Sequence, residues 1–252
     1  MTPLAIVTGA SSGIGRAAAL RLGRDGFHVL AVARDDRALA STCHQIKEHG
    51  GQADWMTADV TDAGAPDHIV ERALSLADGI DALVNAAGII ASGSVMETTD
   101  AGWDGMLDVN VRAPFRLIRR ASTALTTRRG AVVNVSSVAG LRSFPGLTAY
   151  CVSKAAVDQL TRCAALDLAA KGVRVNAVNP GVVVTNLHRR GGMDDAKYAA
   201  FLAHSETTHP LGRAGTAEEI GDLIGYLVSP ASAWMTGETI SIDGGRHLTC
   251  LR

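Results

Sequence analysis

The sequence predicts an α/β fold, a doubly wound parallel sheet of about seven strands with helices on both faces. Three observations lead there. Short uninterrupted apolar runs, such as Leu4-Ala5-Ile6-Val7 and Val29-Leu30-Ala31-Val32-Ala33, have the composition of strands buried on both sides. Helix-forming stretches alternate with such runs, and neither a linker nor an internal repeat interrupts them. The first run feeds a glycine turn, Thr8-Gly9-Ala10-Ser11-Ser12-Gly13-Ile14-Gly15, which opens a helix. At 252 residues the whole chain, 1–252, is expected to form one such domain.

Composition narrows the function. Lys and Arg total 24 against 25 Asp and Glu, and the pairs Arg119-Arg120, Arg128-Arg129 and Arg189-Arg190 are scattered, so no nucleic-acid stripe is expected. The apolar runs are too short to span a membrane. The first strand begins at about Leu4, which leaves no room for a secretory leader. Cys43, Cys151, Cys163 and Cys250 form no C-x-x-C pair or zinc spacing and are expected to be reduced thiols of a cytoplasmic protein. His188, His204 and His209 lack metal-ligand periodicity, so no metal site is expected.

Each element follows from local residues. In the glycine turn, Gly9 permits the tight bend, Gly13 lets the backbone approach a diphosphate, and Gly15 allows helix to pack on strand. The unpaired N–H groups of the helix start then face the anion. The spacing G-x-x-x-G-x-G differs from the G-x-G-x-x-G fingerprint. The second strand ends where a dinucleotide fold selecting NAD places an acid for the ribose 2′-hydroxyl. Here Ala33 is neutral and Arg34 follows, which favours a 2′-phosphate and therefore NADP, while Asp35 and Asp36 keep NAD open. A polar helix over 36–49 stops at Gly50-Gly51, and a short strand over 52–58 closes at Asp59-Val60. A helix over 65–77 precedes a strand over 81–84 that ends in Asn85-Ala86-Ala87-Gly88, small residues that leave ligand space at the carboxyl edge.

A long helix over 100–120 holds Asn110 and Pro114, and the strand over 131–135 delivers Ser136 and Ser137 to the same edge. The next helix, from Ala149 to about Ala170, places Tyr150 and Lys154 four residues apart on one face. A phenol ordinarily titrates near pH ~10, and an adjacent ammonium favours the phenolate, so the pair suits general acid/base work. A strand over 173–178 ends at Asn179-Pro180-Gly181. The polar segment 186–210, with one short helix over 196–204, has the length of a substrate lid. Thr216 and Glu219 have capping-box spacing before a helix to Leu227, and a strand over 238–242 leads to Asp243-Gly244-Gly245.

Together these blocks resemble the short-chain dehydrogenase/reductase family over essentially the full length, in its shorter single-domain type. The matches are Thr8-Gly9-x-x-x-Gly13-x-Gly15, Asp59, Asn85-Ala86-Ala87-Gly88, Asn110, Ser137 thirteen residues before Tyr150, Tyr150-x-x-x-Lys154, and Pro180-Gly181 followed by Thr185. The resemblance implies a Rossmann-like fold, an NAD(P) cofactor, a small-molecule carbonyl or alcohol substrate, and a homotetramer or homodimer. It makes Tyr150 the proton donor or acceptor, Ser137 the oxyanion partner, and Lys154 the group that lowers the Tyr150 pKa and holds the nicotinamide ribose. Asn110 would position a water that links Lys154 to solvent. Ser11, Ser12, Ile14, Arg34, Asp59, Val60, Val183 and Thr185 join the glycines, the 85–88 block, Tyr150, Lys154, Pro180 and Gly181 around the cofactor.

Three departures stand out. Ser12 replaces the extra basic residue of some NADP-preferring members, Ala86 replaces an Asn, and the tail 246–252 carries no family motif. A catalytically silent NADP sensor usually loses Tyr or Lys, and both are present here. An NAD-dependent alcohol dehydrogenase of the same fold stays open. Isomerase, epimerase and dehydratase relatives generally carry a larger C-terminal substrate domain. Substrate choice falls to the variable stretches 139–148, 182–184 and 186–209. Leu141, Phe144, Leu187, Met193, Tyr198 and Phe201 are candidate pocket residues, and Arg142, His188 and Arg189 candidate carboxylate or phosphate binders.

Overall fold

The structure is a computed structural model, and it describes residues 2–249, so Cys250 and the end of the tail lie outside the described residues. Seven parallel strands form one sheet: β1 (Leu4–Thr8), β2 (His28–Ala33), β3 (Gln52–Thr57), β4 (Ala82–Asn85), β5 (Ala131–Val135), β6 (Arg174–Pro180) and β7 (Thr239–Ile242). Their order is β3-β2-β1-β4-β5-β6-β7. The chain winds outward from β1 to β3, then crosses back to place β4 on the other side of β1. Connections therefore leave in opposite directions at the carboxyl ends of β1 and β4, and a crevice opens there.

Side chains alternate between two apolar layers because successive strand residues face opposite ways. Ala5, Val7, Val29 and Ala31 pack on α1 (Gly13–Arg24), α2 (Asp36–Glu48) and α9 (Ala217–Val228) through Leu22, Leu39 and Ile224. Leu4, Ile6, Leu83 and Val132 pack on α3 (Ala65–Leu74), α5 (Ala113–Arg128) and α6 (Thr148–Ala169) through Ile69, Leu125 and Leu168. Helix α1 meets α9 at very short range: a Cβ added to Gly221 would stand 3.0 Å from the Ala17 carbonyl atoms.

One buried polar line crosses the second layer. Asn85 Nδ2 donates to Asn134 Oδ1 at 2.9 Å, Asn134 Nδ2 donates to Thr161 Oγ1 at 2.9 Å, and the Thr161 hydroxyl donates to Val157 O. It fastens β4, β5 and α6 in one register, which positions the residues at the start of α6 against the end of β5.

Several boundaries differ from the sequence expectation. The helix expected over 100–120 is α4 (Asp100–Leu107), a π-helical turn (Asp108–Arg112) and α5 to Arg128. The cause is Pro114, which has no N–H to offer the carbonyl of Asn110 four residues back. Instead the N–H of Ala113 reaches Asp108 O, five residues back. The segment 186–210 is mostly helical, as α7 (Leu187–Arg190) and α8 (Asp195–Thr208), the latter capped by Asp194 accepting from the Lys197 N–H. The capping box at Thr216 and Glu219 is present. Among the described residues no helix is long and apolar enough to cross a membrane, and Cys43, Cys151 and Cys163 are free thiols.

The α1–α9 contact yields a direct stability test. Gly221→Val should lower unfolding stability by about 1–3 kcal/mol, because the branched side chain meets backbone that cannot withdraw. A urea midpoint equal to that of the wild type would show that the helices yield freely.

Candidate active site

The carboxyl ends of β1, β4, β5 and β6 open into a cleft of about 1350 Å³. Its floor at β1 is the glycine turn. Gly9 has φ +68° and a Cβ there would lie 2.7 Å from Ala86 O, so only glycine serves the bend against β4. Gly13 has φ +53°, and a Cβ would press on Thr185 Cγ2 at 3.1 Å. Ser12 stands at the α1 N-cap in extended geometry without a side-chain capping bond, and the first turn holds no acid. The N–H groups of that turn are therefore available to an anion at the positive end of the helix. Arg190 crosses from α7 and donates from Nη1 to Ser12 Oγ at 3.0 Å, which adds a cation beside the same turn. A cradle built of backbone N–H groups, positive charge and space fits the diphosphate of a dinucleotide.

At the far end of the cleft, Arg34 is 75% exposed with Nη1 3.7 Å from Asp59 Oδ2. The backbone N–H and hydroxyl of Thr61, and then Arg34, hold the Asp59 carboxyl below the usual carboxylate range. Asp35 is spent on α2, accepting from the Ala38 N–H at 3.0 Å. Asp36 accepts from Trp55 Nε1 at 3.0 Å and Thr57 Oγ1 at 2.9 Å, which hold its carboxyl low. Each of these acids spends Oδ1 within the fold, yet both stay exposed and line this end of the cleft beside Arg34. Arg37, which sequence reading passed over, also lines this end, as do Val60 and Ala33.

The middle of the cleft gathers Ser137, Tyr150 and Lys154. Ser137 leaves β5 with its Oγ accepting from the Ala139 N–H at 3.1 Å and its hydroxyl close enough to the Tyr150 phenol to favour the ionised form. Tyr150 is in the first turn of α6, 7% exposed, and Lys154 one turn later is 5% exposed. Lys154 Nζ donates to Val135 O at 2.9 Å and stands 5.7 Å from the Tyr150 ring centre. Burial pushes the phenol up to about 12, against the Ser137 hydrogen bond, and pushes the ammonium down to about 8, against Asp158. The expectation that the neighbouring ammonium lowers the phenol is reversed here. Desolvation dominates both groups, and the lysine is tied to a backbone carbonyl instead.

Behind these side chains lies a polar layer. Asn179 Nδ2 donates to Ser137 O at 2.9 Å and to Asp158 Oδ2 at 3.0 Å, while Ser136 Oγ donates to Lys154 O. Sequence reading missed it, although Asn134 and Asn179 stand out as polar residues within strands. Asn110 and Asn85, both expected at the site, are buried outside the cleft lining. Asn110 Oδ1 accepts from the Ile89 N–H at 2.9 Å, and its Nδ2 donates to Ile89 O and Ser153 Oγ, both at 3.0 Å. It fixes the chain leaving β4. Ala86, Ala87 and Gly88 of that chain line the cleft, together with Pro180 at the end of β6, Gly181, Val183 and Thr185 after it, and Ser11, Ile14 and Gly15 near β1.

On the remaining wall, Phe144, Leu187, Met193 and Phe201 line the cleft as expected. Leu141 and Tyr198 do not. The Tyr198 hydroxyl is bound to the backbone of Thr185, donating to its O at 2.8 Å and accepting from its N–H at 3.1 Å. Arg189 pairs with Asp195 at 2.7 Å and stacks on Tyr198, and Arg142 is held by backbone carbonyls of the tail, so neither lines the cleft. His188 does, with its ring 4.5 Å from that of Phe201. Arg246, from the tail without a motif, joins the lining as well.

Comparison with known proteins agrees with this geometry. A family profile described as enoyl-(acyl carrier protein) reductase matches residues 9–247. A Staphylococcus aureus 3-oxoacyl-[acyl-carrier-protein] reductase is 34% identical over 250 residues, covering 98% of this chain and 99% of that one. The human mitochondrial dehydrogenase/reductase SDR family member 2 is 35% identical, covering 96% and 85% respectively. A Caenorhabditis elegans short-chain dehydrogenase/reductase of unknown function, solved with its cofactor, superposes with TM-score 0.91 at 34% identity, covering 98% of this chain and 96% of that one. The chain therefore belongs to the short-chain dehydrogenase/reductase family, the NAD(P)-dependent oxidoreductases that act on C=O and CH–OH groups.

Proposed function

We propose that the protein is an NADP(H)-dependent oxidoreductase acting on a ketone or secondary alcohol, with Tyr150 as general acid/base. The observation that carries this reading is the meeting of Ser137, Tyr150 and Lys154 in the cleft that also holds the glycine turn. A dinucleotide held by its diphosphate at that turn would supply the hydride from its reduced nicotinamide. A carbonyl oxygen placed between Ser137 Oγ and Tyr150 Oη accepts two hydrogen bonds, and charge growing on it is stabilised by both. Tyr150 would pass its proton to that oxygen, and the Lys154 charge, 5.7 Å from the ring centre, would offset part of the cost that burial sets on the phenolate. In the oxidising direction Tyr150 accepts the alcohol proton. Asn110 acts as a positioning residue: the π-helical turn it occupies leaves its carbonyl free of an ordinary helical bond, the place for a water that links Lys154 to solvent.

NADP over NAD is supported at the end of β2. Arg34 and Arg37 both line this end, while Asp35 and Asp36, which line it too, each have one carboxylate oxygen engaged in capping or with β3. The relatives named as ketoacyl reductases support a small oxo substrate. Segment 186–210 supplies Leu187, Met193 and Phe201 to the cleft and is read as its substrate lid within one domain spanning 1–252. A homotetramer in the cytoplasm completes the proposal; the exposed apolar Phe115 on α5 and Val152 and Leu166 on α6 support assembly through those helices.

Two experiments test the reading. With NADPH and a panel of ketones, Tyr150→Phe should lower kcat by about 10²–10⁴-fold while the protein still binds cofactor. Retained turnover would remove Tyr150 from the chemistry, and tight cofactor binding without any wild-type turnover would favour the silent sensor. Arg34→Ala should raise the KM for NADPH by about tenfold to a hundredfold relative to NADH, the scale of a lost charged hydrogen bond. Faster wild-type turnover with NADH than with NADPH would overturn the cofactor assignment.

A further inference from the structure

After β7 the chain reverses through Asp243-Gly244-Gly245, where both glycines are left-handed with φ +58° and +83°. Asp243 locks the turn. Its carboxylate accepts from the N–H groups of Gly245 at 3.0 Å and His247 at 2.7 Å, and meets His247 Nδ1 at 2.9 Å. The outcome is that Arg246, only 8% exposed, is delivered into the cleft wall. Its guanidinium carbon lies 5.2 Å from the Phe144 ring centre, and that of Arg142 lies 5.4 Å from the same ring. Phe144 packs against the small apolar cluster that contains Tyr150.

Among the described residues, the Arg246 guanidinium has no salt bridge and Nη1 is fully buried without a hydrogen-bond partner. Nδ1 of His188, in the same cleft, is likewise buried and without one. A guanidinium does not shed its proton in a protein, so the charge persists where it is costly to leave alone. Asp243, whose carboxylate acts on Arg246, is already engaged by the turn, and Arg142 adds charge of the same sign. A planar fork of donors packed on the Phe144 ring matches a carboxylate.

We propose that Arg246 is a specificity-determining residue that receives a carboxylate of the substrate, so that the protein acts on oxo acids or the corresponding hydroxy acids. The placement of their carbonyl at Ser137 and Tyr150 rests on the oxidoreductase reading above; the anion site does not.

Equilibrium binding separates the two. Calorimetry on the NADP⁺-saturated protein would compare acetoacetate and levulinate with their methyl esters, and with dihydroxyacetone phosphate as a phosphate-bearing ketone. At least one free acid should bind the wild type about tenfold or more tighter than its ester, and Arg246→Gln should abolish that difference while Arg246→Lys restores part of it. Equal binding of acid and ester, no binding of either acid, or an acid preference that survives Arg246→Gln would overturn the proposal. Tighter binding of the phosphate than of either acid would overturn the choice of carboxylate. The wild-type comparison decides the matter even where a variant fails to fold. Turnover of the same compounds is scored separately, so an acid preference without hydride transfer would contradict the oxidoreductase reading alone.

Discussion

A lysine ammonium and a tyrosine phenol are buried side by side at the end of β5, and much of the polar architecture exists to make that tolerable. Burying such groups is costly unless hydrogen bonds replace water. Lys154 finds the Val135 carbonyl, Tyr150 lies beside Ser137, and Ser137 in turn is held by Asn179 through its backbone oxygen. Beneath them Asp158, Ser136 and Thr161 close a network that few solvent molecules can enter. Networks of this kind fix geometry because their donors are tied to partners with their own place in the fold, although Asn179 Oδ1 is left buried without one. The sheet register makes this possible: Asn85 pairs with Asn134, and Val135 with Val178, so the polar strand ends arrive at one level.

The π-helical turn follows from the same demand. A straight α-helix through residues 100–128 would need an N–H at residue 114, and proline cannot supply it. The extra residue per turn rotates Asn110 inward, where it clamps both backbone polar groups of Ile89 and the hydroxyl of Ser153. Gly88 is the thin wall between this clamp and the lysine: a Cβ there would stand 3.3 Å from Asn110 Oδ1 and 3.7 Å from Lys154 Nζ. A larger residue at that position would separate support from chemistry.

The parts of the fold legible in the sequence are those whose cause is local. Leu4-Ala5-Ile6-Val7 is apolar throughout, as a strand buried on both faces requires, and the glycines at 9, 13 and 15 are spaced by the steric needs of one turn. The sharing of a face by Tyr150 and Lys154 is a consequence of helical pitch. What spacing does not carry is burial and reach. The direction in which the Tyr150 phenol is shifted depends on how much protein surrounds it, and adjacency to a lysine gave the opposite expectation. Arg189, a candidate anion binder by sequence, binds Asp195 six residues on, whereas its neighbour Arg190 reaches Ser12 across the cleft, 178 residues away in sequence. Asp35 and Asp36 look wholly free to hold a ribose until the cap and Trp55 claim one oxygen of each. Arg246 sits in a tail without a motif, and only the double-glycine turn brings it to the cleft.

The most direct measurement is an NMR pH titration of Tyr150 and Lys154, isotope-labelled in the cofactor-free protein and assigned with Phe and Met substitutions. If burial governs the site, the Tyr150 phenol keeps its proton past the ordinary tyrosine value of 10.0 toward about 12, while Lys154 titrates near about 8. A Tyr150 phenol that ionises near neutral pH, beside a lysine that stays charged above pH 10.5, would contradict it and restore ion pairing as the governing force.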